Sequence, residues 1–241
     1  MAEPRLENRI ALVTGANKGI GRAVAVSFAA HGAHVILVAR TQKLLEEVDD
    51  EIRASGGTAT LAPLDITEGE KIDNLGPTIG ERWGRLDILV ANAGQLGPLS
   101  PLGHIPSTDW DEVIAVNLTA NWRLIRTLDP LLQQSDAGRA IFVTSTAAQD
   151  VRAYWGPYAV SKAGLEALVR TYAAETATTN LRVNLVNPGA TATLMRAQAM
   201  PGEDPDTLPL PEDVAPIFVD IAAPDCAEHG QIVNARERLK L

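Results

Sequence analysis

The stretch TGANKGIG, Thr14 to Gly21, follows the apolar run IALV (10–13) and opens a longer amphipathic segment over 19–31. A turn from a strand into a helix needs residues without a Cβ where the backbone bends tightly and comes close to a phosphate. The free N–H groups and dipole of the helix start then favour the anion. Gly15, Gly19 and Gly21 fill those positions, and the strand, turn, helix and following strand stand in the order that a dinucleotide site requires. A glycine-rich turn that binds nothing is the plain alternative, which the context disfavours.

Working outward, short β-branched runs alternate with helical stretches. HVILV (34–38) precedes 42–54, and TATLAPL (58–64) precedes 68–83. LDILVANAG (86–94) precedes a helix over 108–133, AIFVTS (140–145) precedes a helix from about Pro157, and LRVNLVNPG closes the series at 181–189. The runs are continuously apolar, as parallel strands covered on both faces must be. The pattern predicts an α/β fold: one Rossmann-like, doubly wound parallel sheet of about seven strands with helices on both faces, a single dinucleotide-binding domain over 1–241. Between Pro188 and Pro211 the chain is rich in proline and acid, and residues 190–211 read as a substrate lid.

Composition narrows the partners. Of the 241 residues 46% are apolar and 21% charged, ordinary for a chain with a sizeable core. A formal charge of −9, with no basic run, argues against nucleic acid and anionic lipid. Cys226 is the one cysteine, so no intrachain disulfide forms. His31, His34, His104 and His229 lack ligand spacing, and no metal is expected. The polar start MAEPRLENR shows neither a signal peptide nor a membrane span, and a cytoplasmic protein is expected.

The spacing G-x-x-x-G-x-G departs from G-x-G-x-x-G by a longer first gap, and TGANKGIG resembles the cofactor loop of the short-chain dehydrogenase/reductase family. The resemblance extends from Ile10 to about Val233. It implies that Gly15, Asn17, Lys18, Gly19, Ile20 and Gly21 meet the cofactor. It further implies that Asp65 and Ile66 meet the adenine, and that Asn92, Ala93 and Gly94 lie beside the nucleotide, with Asn92 also bracing the central strands. Ala91 replaces the first asparagine of the usual Asn-Asn-Ala-Gly. At the end of VILVAR, Ala39 stands where NAD-binding relatives carry an acid, and Arg40 follows. With Lys18 this points to NADP(H) over NAD(H), because a 2′-phosphate needs cations; the alternative is that both cations are solvated surface charges. By the same resemblance Pro188, Gly189, Thr191 and Thr193 contact the cofactor, Thr193 at the nicotinamide carboxamide.

YAVSK, 158–162, places Tyr158 and Lys162 one helical turn apart on one face. A free tyrosine titrates near pH 10, and bringing it to neutrality takes about 4 kcal/mol, for which a nearby ammonium and an oxidised nicotinamide are the sources. Taken alone, the pair also fits a solvated helix face. Ser145, thirteen residues before Tyr158, matches the family's substrate-orienting serine, with Thr144 and Thr146 as flanking hydroxyls. Asn117 resembles the asparagine that holds a relay water by the lysine; by itself it also reads as a buried structural amide. The resemblance implies a hydride transfer between nicotinamide and a carbonyl or alcohol. Tyr158 is then the general acid and base, Ser145 the orienting hydroxyl, Lys162 the ribose-binding ammonium and Asn117 the relay. A catalytically silent nucleotide sensor and an epimerase or dehydratase of the same family are the alternatives.

Leu194, Met195, Met200, Tyr154 and Trp155 suggest an apolar wall for a small-molecule substrate, or plain loop packing; Arg152 and Arg196 do not make a basic mouth for an acyl carrier. The resemblance implies a homodimer or homotetramer through the helix near Tyr158, where Ala163, Ala167, Ala173 and Ala174 permit close approach. The ending HGQIVNARERLKL lacks the paired glycines often found after the family's last strand.

Overall fold

The computed structural model describes residues 4–240; Met1–Glu3 and Leu241, part of the domain expected over 1–241, lie outside the described residues. Seven parallel strands form one sheet: β1 (Ile10–Thr14), β2 (His34–Ala39), β3 (Thr58–Pro63), β4 (Ile88–Ala91), β5 (Arg139–Val143), β6 (Arg182–Asn187) and β7 (Ile232–Asn234). Their spatial order is β3-β2-β1-β4-β5-β6-β7, so the direction of winding reverses between β1 and β4. Ligands of such sheets bind in the crevice outside the carboxyl ends of the strands at that switch.

The period-two alternation of each strand feeds two cores. Ala11, Val13, Val35 and Leu37 face α1 (Gly19–Ala30), α2 (Gln42–Ala54) and α9 (Pro211–Ala222), where Phe28 and Phe218 are fully buried. Leu12, Ile36 and Val38 face the other layer, which contains α4 (Leu75–Trp83), α6 (Ala120–Gln133) and α7 (Gly156–Glu175). Both faces being covered explains why the strands read as unbroken apolar runs.

Two expected helices differ. The stretch 68–83 is split into α3 (Gly69–Asp73) and α4, because Pro77 has no N–H to give and its ring crowds the carbonyl of Asp73 four residues earlier. The stretch 108–133 begins as α5 (Ser107–Ile114), passes through a π-helical turn at Ala115–Thr119 and continues as α6. The wider turn frees the Asn117 carbonyl, and the Asn121 side-chain amide donates to it at 2.8 Å. Such π-turns concentrate at functional sites.

One further expectation, that of Ala173, needs correction, and two segments gain detail. The segment 190–211 is not simply a loop: it carries α8 (Leu194–Ala199), capped by the Thr193 hydroxyl, and a 3-10 turn at Pro205–Thr207. Ala173 does not share an exposed face with Ala163, Ala167 and Ala174; it is buried in the second core, while those three are exposed. The chain end, in place of paired glycines, pairs β7 with β6 and then forms α10 (Ala235–Leu239).

Candidate active site

The glycine loop is built around Thr14. Its hydroxyl accepts the backbone N–H groups of Asn92 and Ala93, each at 3.0 Å, and its carbonyl accepts the Asn92 side-chain amide at 2.9 Å. Asn92 thereby ties the carboxyl end of β4 to that of β1. Gly15 has φ +65°, and a Cβ on Gly21 would stand 2.3 Å from the Gly15 carbonyl oxygen and 2.5 Å from Asn92 Nδ2. The turn closes only because those side chains are missing. Gly19 faces the Thr193 methyl, which brings the loop after β6 over the start of α1.

A cavity of about 1310 Å³ runs from this loop across the carboxyl ends of the strands. All the expected cofactor and catalytic residues line it except Gly21, which packs beneath the turn, and Asn117, which is buried behind the wall. At one end burial would raise the Asp65 carboxyl, but the Thr67 amide and hydroxyl, bonded at 2.9 and 2.8 Å, hold it below its ordinary range, with Arg40 and Lys71 adding to the effect. Arg40 lies 3.8 Å from the free Asp65 oxygen and is 70% exposed, so its guanidinium remains open to an incoming anion.

At the other end stand Ser145, Tyr158 and Lys162. Ser145 leaves the end of β5 in an extended conformation and caps the following 3-10 turn by accepting the Ala147 N–H at 3.2 Å. Pro157 pre-sets the first turn of α7, which places Tyr158 opposite. The ring packs with Leu96 and Ala147, backed by Trp155 and Met195. Burial raises the phenol above its usual pKa, and the neighbouring Ser145 hydroxyl works against that rise. Lys162 is buried one turn further on, donates from Nζ to the Val143 carbonyl at 2.7 Å, and has its pKa lowered to about 8 by burial.

The ammonium expected to bring the phenol down lies near it but is not bonded to it. Nζ lies 5.8 Å from the centre of the ring and is directed at a carbonyl; burial dominates the phenol. Asn117 bonds both the N–H and the carbonyl of Gln95, at 2.8 and 2.9 Å, and donates to Ser161 at 2.9 Å. It therefore pins the segment after β4 to α7. Between Asn117 Oδ1 and Lys162 Nζ stands Gly94, whose missing Cβ would lie 3.5 and 3.6 Å from the two atoms. Of the residues expected to form an apolar wall, Leu194, Met195 and Trp155 line the cavity. Tyr154, at φ +75° with an exposed ring, and Met200, past the end of α8, do not.

The sequence matches the short chain dehydrogenase family over residues 9–204. The chain is a short-chain dehydrogenase. It is 39% identical over 217 residues to the uncharacterized oxidoreductase YciK of Escherichia coli K12, covering 89% of this chain and 86% of that protein. A short chain dehydrogenase from Pseudomonas syringae superposes with TM-score 0.93 at 41% identity, over 98% of each chain. One from Shigella flexneri 2a, solved as a complex with NADP, superposes with TM-score 0.93 at 36% identity, over 98% of this chain and 100% of that one. This short-chain dehydrogenase is an oxidoreductase with the family's nucleotide-binding fold. The residues that the sequence did not single out for the site are Thr14 and Asn121. Thr14 was legible as the last residue of the strand before the glycines, whereas Asn121 acts by bonding the carbonyl that the π-turn frees at Asn117.

Proposed function

We propose that this short-chain dehydrogenase uses NADP(H) to interconvert a carbonyl compound and its alcohol, with Tyr158 as the general acid and base. The observation that carries the reading is the convergence of Ser145, Tyr158 and Lys162 on a cavity continuous with the glycine loop. The residues present fit a dinucleotide: Gly15, Gly19 and Gly21 leave a cradle that side chains would fill, at the start of a helix. Lys18 and Arg40 supply the cations for a 2′-phosphate, and the Shigella flexneri relative is described as an NADP complex.

Bound nicotinamide supplies or accepts the hydride. Ser145 donates a hydrogen bond to the substrate oxygen and holds it against the phenol. Tyr158 gives that oxygen its proton in reduction and takes it back in oxidation. Lys162, an ammonium below about pH 8, binds the ribose hydroxyls. Asn117 and Lys162, on either side of Gly94, return the proton to solvent. Leu96, Trp155 and Met195 present an apolar wall next to the phenol, which suits a carbonyl carried on an apolar or aromatic body. Residues 190–211, with Thr193 against Gly19, act as the lid. Copies of the chain associate through the exposed stripe Val160, Ala163, Ala167 and Ala174 on α7.

Loss of NADPH absorbance against a panel of ketones, diketones and quinones tests the reading. Turnover with NADPH, and weaker turnover with NADH, is expected. Tight NADPH binding with no turnover of any member would overturn it.

A further inference from the structure

Three residues at successive turns of α7, Tyr158, Lys162 and Glu166, meet three consecutive residues at the end of β5. Tyr158 and Ser145 border the same cavity, Lys162 holds the Val143 carbonyl at 2.7 Å, and the Glu166 carboxylate accepts the Thr144 hydroxyl at 2.8 Å. The first two contacts belong to the chemistry already described; the third does not. Glu166 is 6% exposed and Thr144 2% exposed; Thr144 borders the cavity, with its hydroxyl turned to Glu166, and Glu166 stands behind it. The second carboxylate oxygen of Glu166 has only distant company, Gln149 Nε2 at 3.5 Å and Arg170 at 3.9 Å.

A carboxylate is costly to bury. An apolar side chain at 166 would fill the same space between helix and sheet without that cost, so packing alone does not account for an acid there. What the acid provides is direction. Thr144 is the residue through which β5 passes into the turn that carries Ser145, and its backbone N–H is already held by the Val186 carbonyl at 2.9 Å. With the hydroxyl also held by α7, the chain at 144 cannot rotate, and Ser145 leaves it in one direction.

We propose that Glu166 is a positioning residue for the reaction: by holding the Thr144 hydroxyl it fixes the Ser145 hydroxyl against the Tyr158 phenol. The kinetic consequence rests on the function proposed above; the geometric one does not. Losing the contact loosens Ser145 relative to Tyr158, and misplacement on the scale of an ångström costs as much as about 100-fold in rate.

The test uses two pairs of substitutions. Glu166→Leu and Thr144→Val each delete the contact, whereas Glu166→Gln keeps an acceptor and Thr144→Ser keeps the hydroxyl. The chain has three tyrosines, so carbon-13 labelling at tyrosine Cζ, with Tyr158→Phe for assignment, gives a resonance for the phenol carbon that needs no substrate. The deleting variants are expected to move the Tyr158 resonance. They should also lower kcat about 10- to 100-fold while the Kd for NADPH stays within about twofold. Glu166→Gln and Thr144→Ser are expected to recover most of the rate and the wild-type resonance. The proposal is overturned if the deleting variants lower Tm or NADPH affinity but leave the Tyr158 resonance unmoved, or if they leave both resonance and kcat unchanged. Thr144→Val decides the matter should Glu166→Leu not fold. A wild-type chain that turns over no carbonyl compound defeats the proposed function, and the resonance still decides the role of Glu166.

Discussion

The Lys162 ammonium donates a 2.7 Å hydrogen bond to the carbonyl of Val143, two residues before Ser145, and is buried there with no carboxylate among the described residues bonded to it. Burial lowers its pKa from 10.5 to about 8. Between those two values the unfolded chain holds a proton that the folded chain has lost, so this group makes stability rise with pH through that window. Below about pH 8 both states are protonated, and the full cost of burial is paid. Relative to Lys162→Met, wild type should therefore gain about 2 kcal/mol between about pH 8 and about pH 10. Thermal unfolding of both proteins at the two pH values checks this. A constant difference would show that the amine is not buried in its charged form.

Gly21 allows the first strand and helix to close. A Cβ there would lie 2.3 Å from the Gly15 carbonyl oxygen and 2.5 Å from Asn92 Nδ2, and the latter is itself bonded to Thr14. Neither neighbour can retreat without breaking the turn. Gly21→Ala is expected to cost about 1–3 kcal/mol of stability and to weaken NADPH binding, as read by unfolding and by fluorescence titration. Unaltered affinity would mean that the loop does not form the phosphate cradle.

In the proposed function Arg40 is the residue that separates NADP(H) from NAD(H). It is exposed and only loosely engaged with Asp65 at 3.8 Å. Arg40→Ala should weaken NADPH binding about tenfold, the loss of one charge-assisted contact, and leave NADH binding as it was. Equal loss for both cofactors would remove Arg40 from the 2′-phosphate.

On α7 the exposed residues Val160, Ala163, Ala167 and Ala174 form a stripe of small side chains. Ala167→Glu would place a charge in any helix–helix contact made there. Light scattering is expected to show wild type at roughly twice 25.6 kDa or more, and the variant shifted towards 25.6 kDa. A variant that keeps the wild-type mass places the contact elsewhere.

Six of the seven strands and the glycine turn were legible because both rest on local rules: continuous apolar runs for strands covered on two faces, and residues without a Cβ where the chain bends; β7, three residues long, was suggested only by the family resemblance. The pairing of Tyr158 and Lys162 could be read for a similar reason, since a helix sets one residue above another four places on; Ser145 was read from the family resemblance alone. Four features escaped. The π-turn around Asn117 adds too little to the winding of a long helix to disturb its apolar periodicity. The helix inside 190–211 is six residues long and held by the Thr193 cap, so no periodic face announces it. The direction of Lys162, towards a carbonyl on β5 and not towards the phenol, depends on how α7 sits on the sheet. The Glu166–Thr144 contact, across 22 residues, is of the same kind.

The central claim is that Tyr158 moves the proton. The most direct test compares wild type and Tyr158→Phe on a carbonyl substrate found in the panel, with NADPH affinity measured in parallel. The expected result is a fall in kcat of about 1,000-fold with NADPH binding retained, the scale of a lost general acid. Turnover by Tyr158→Phe at a rate close to wild type would contradict the account.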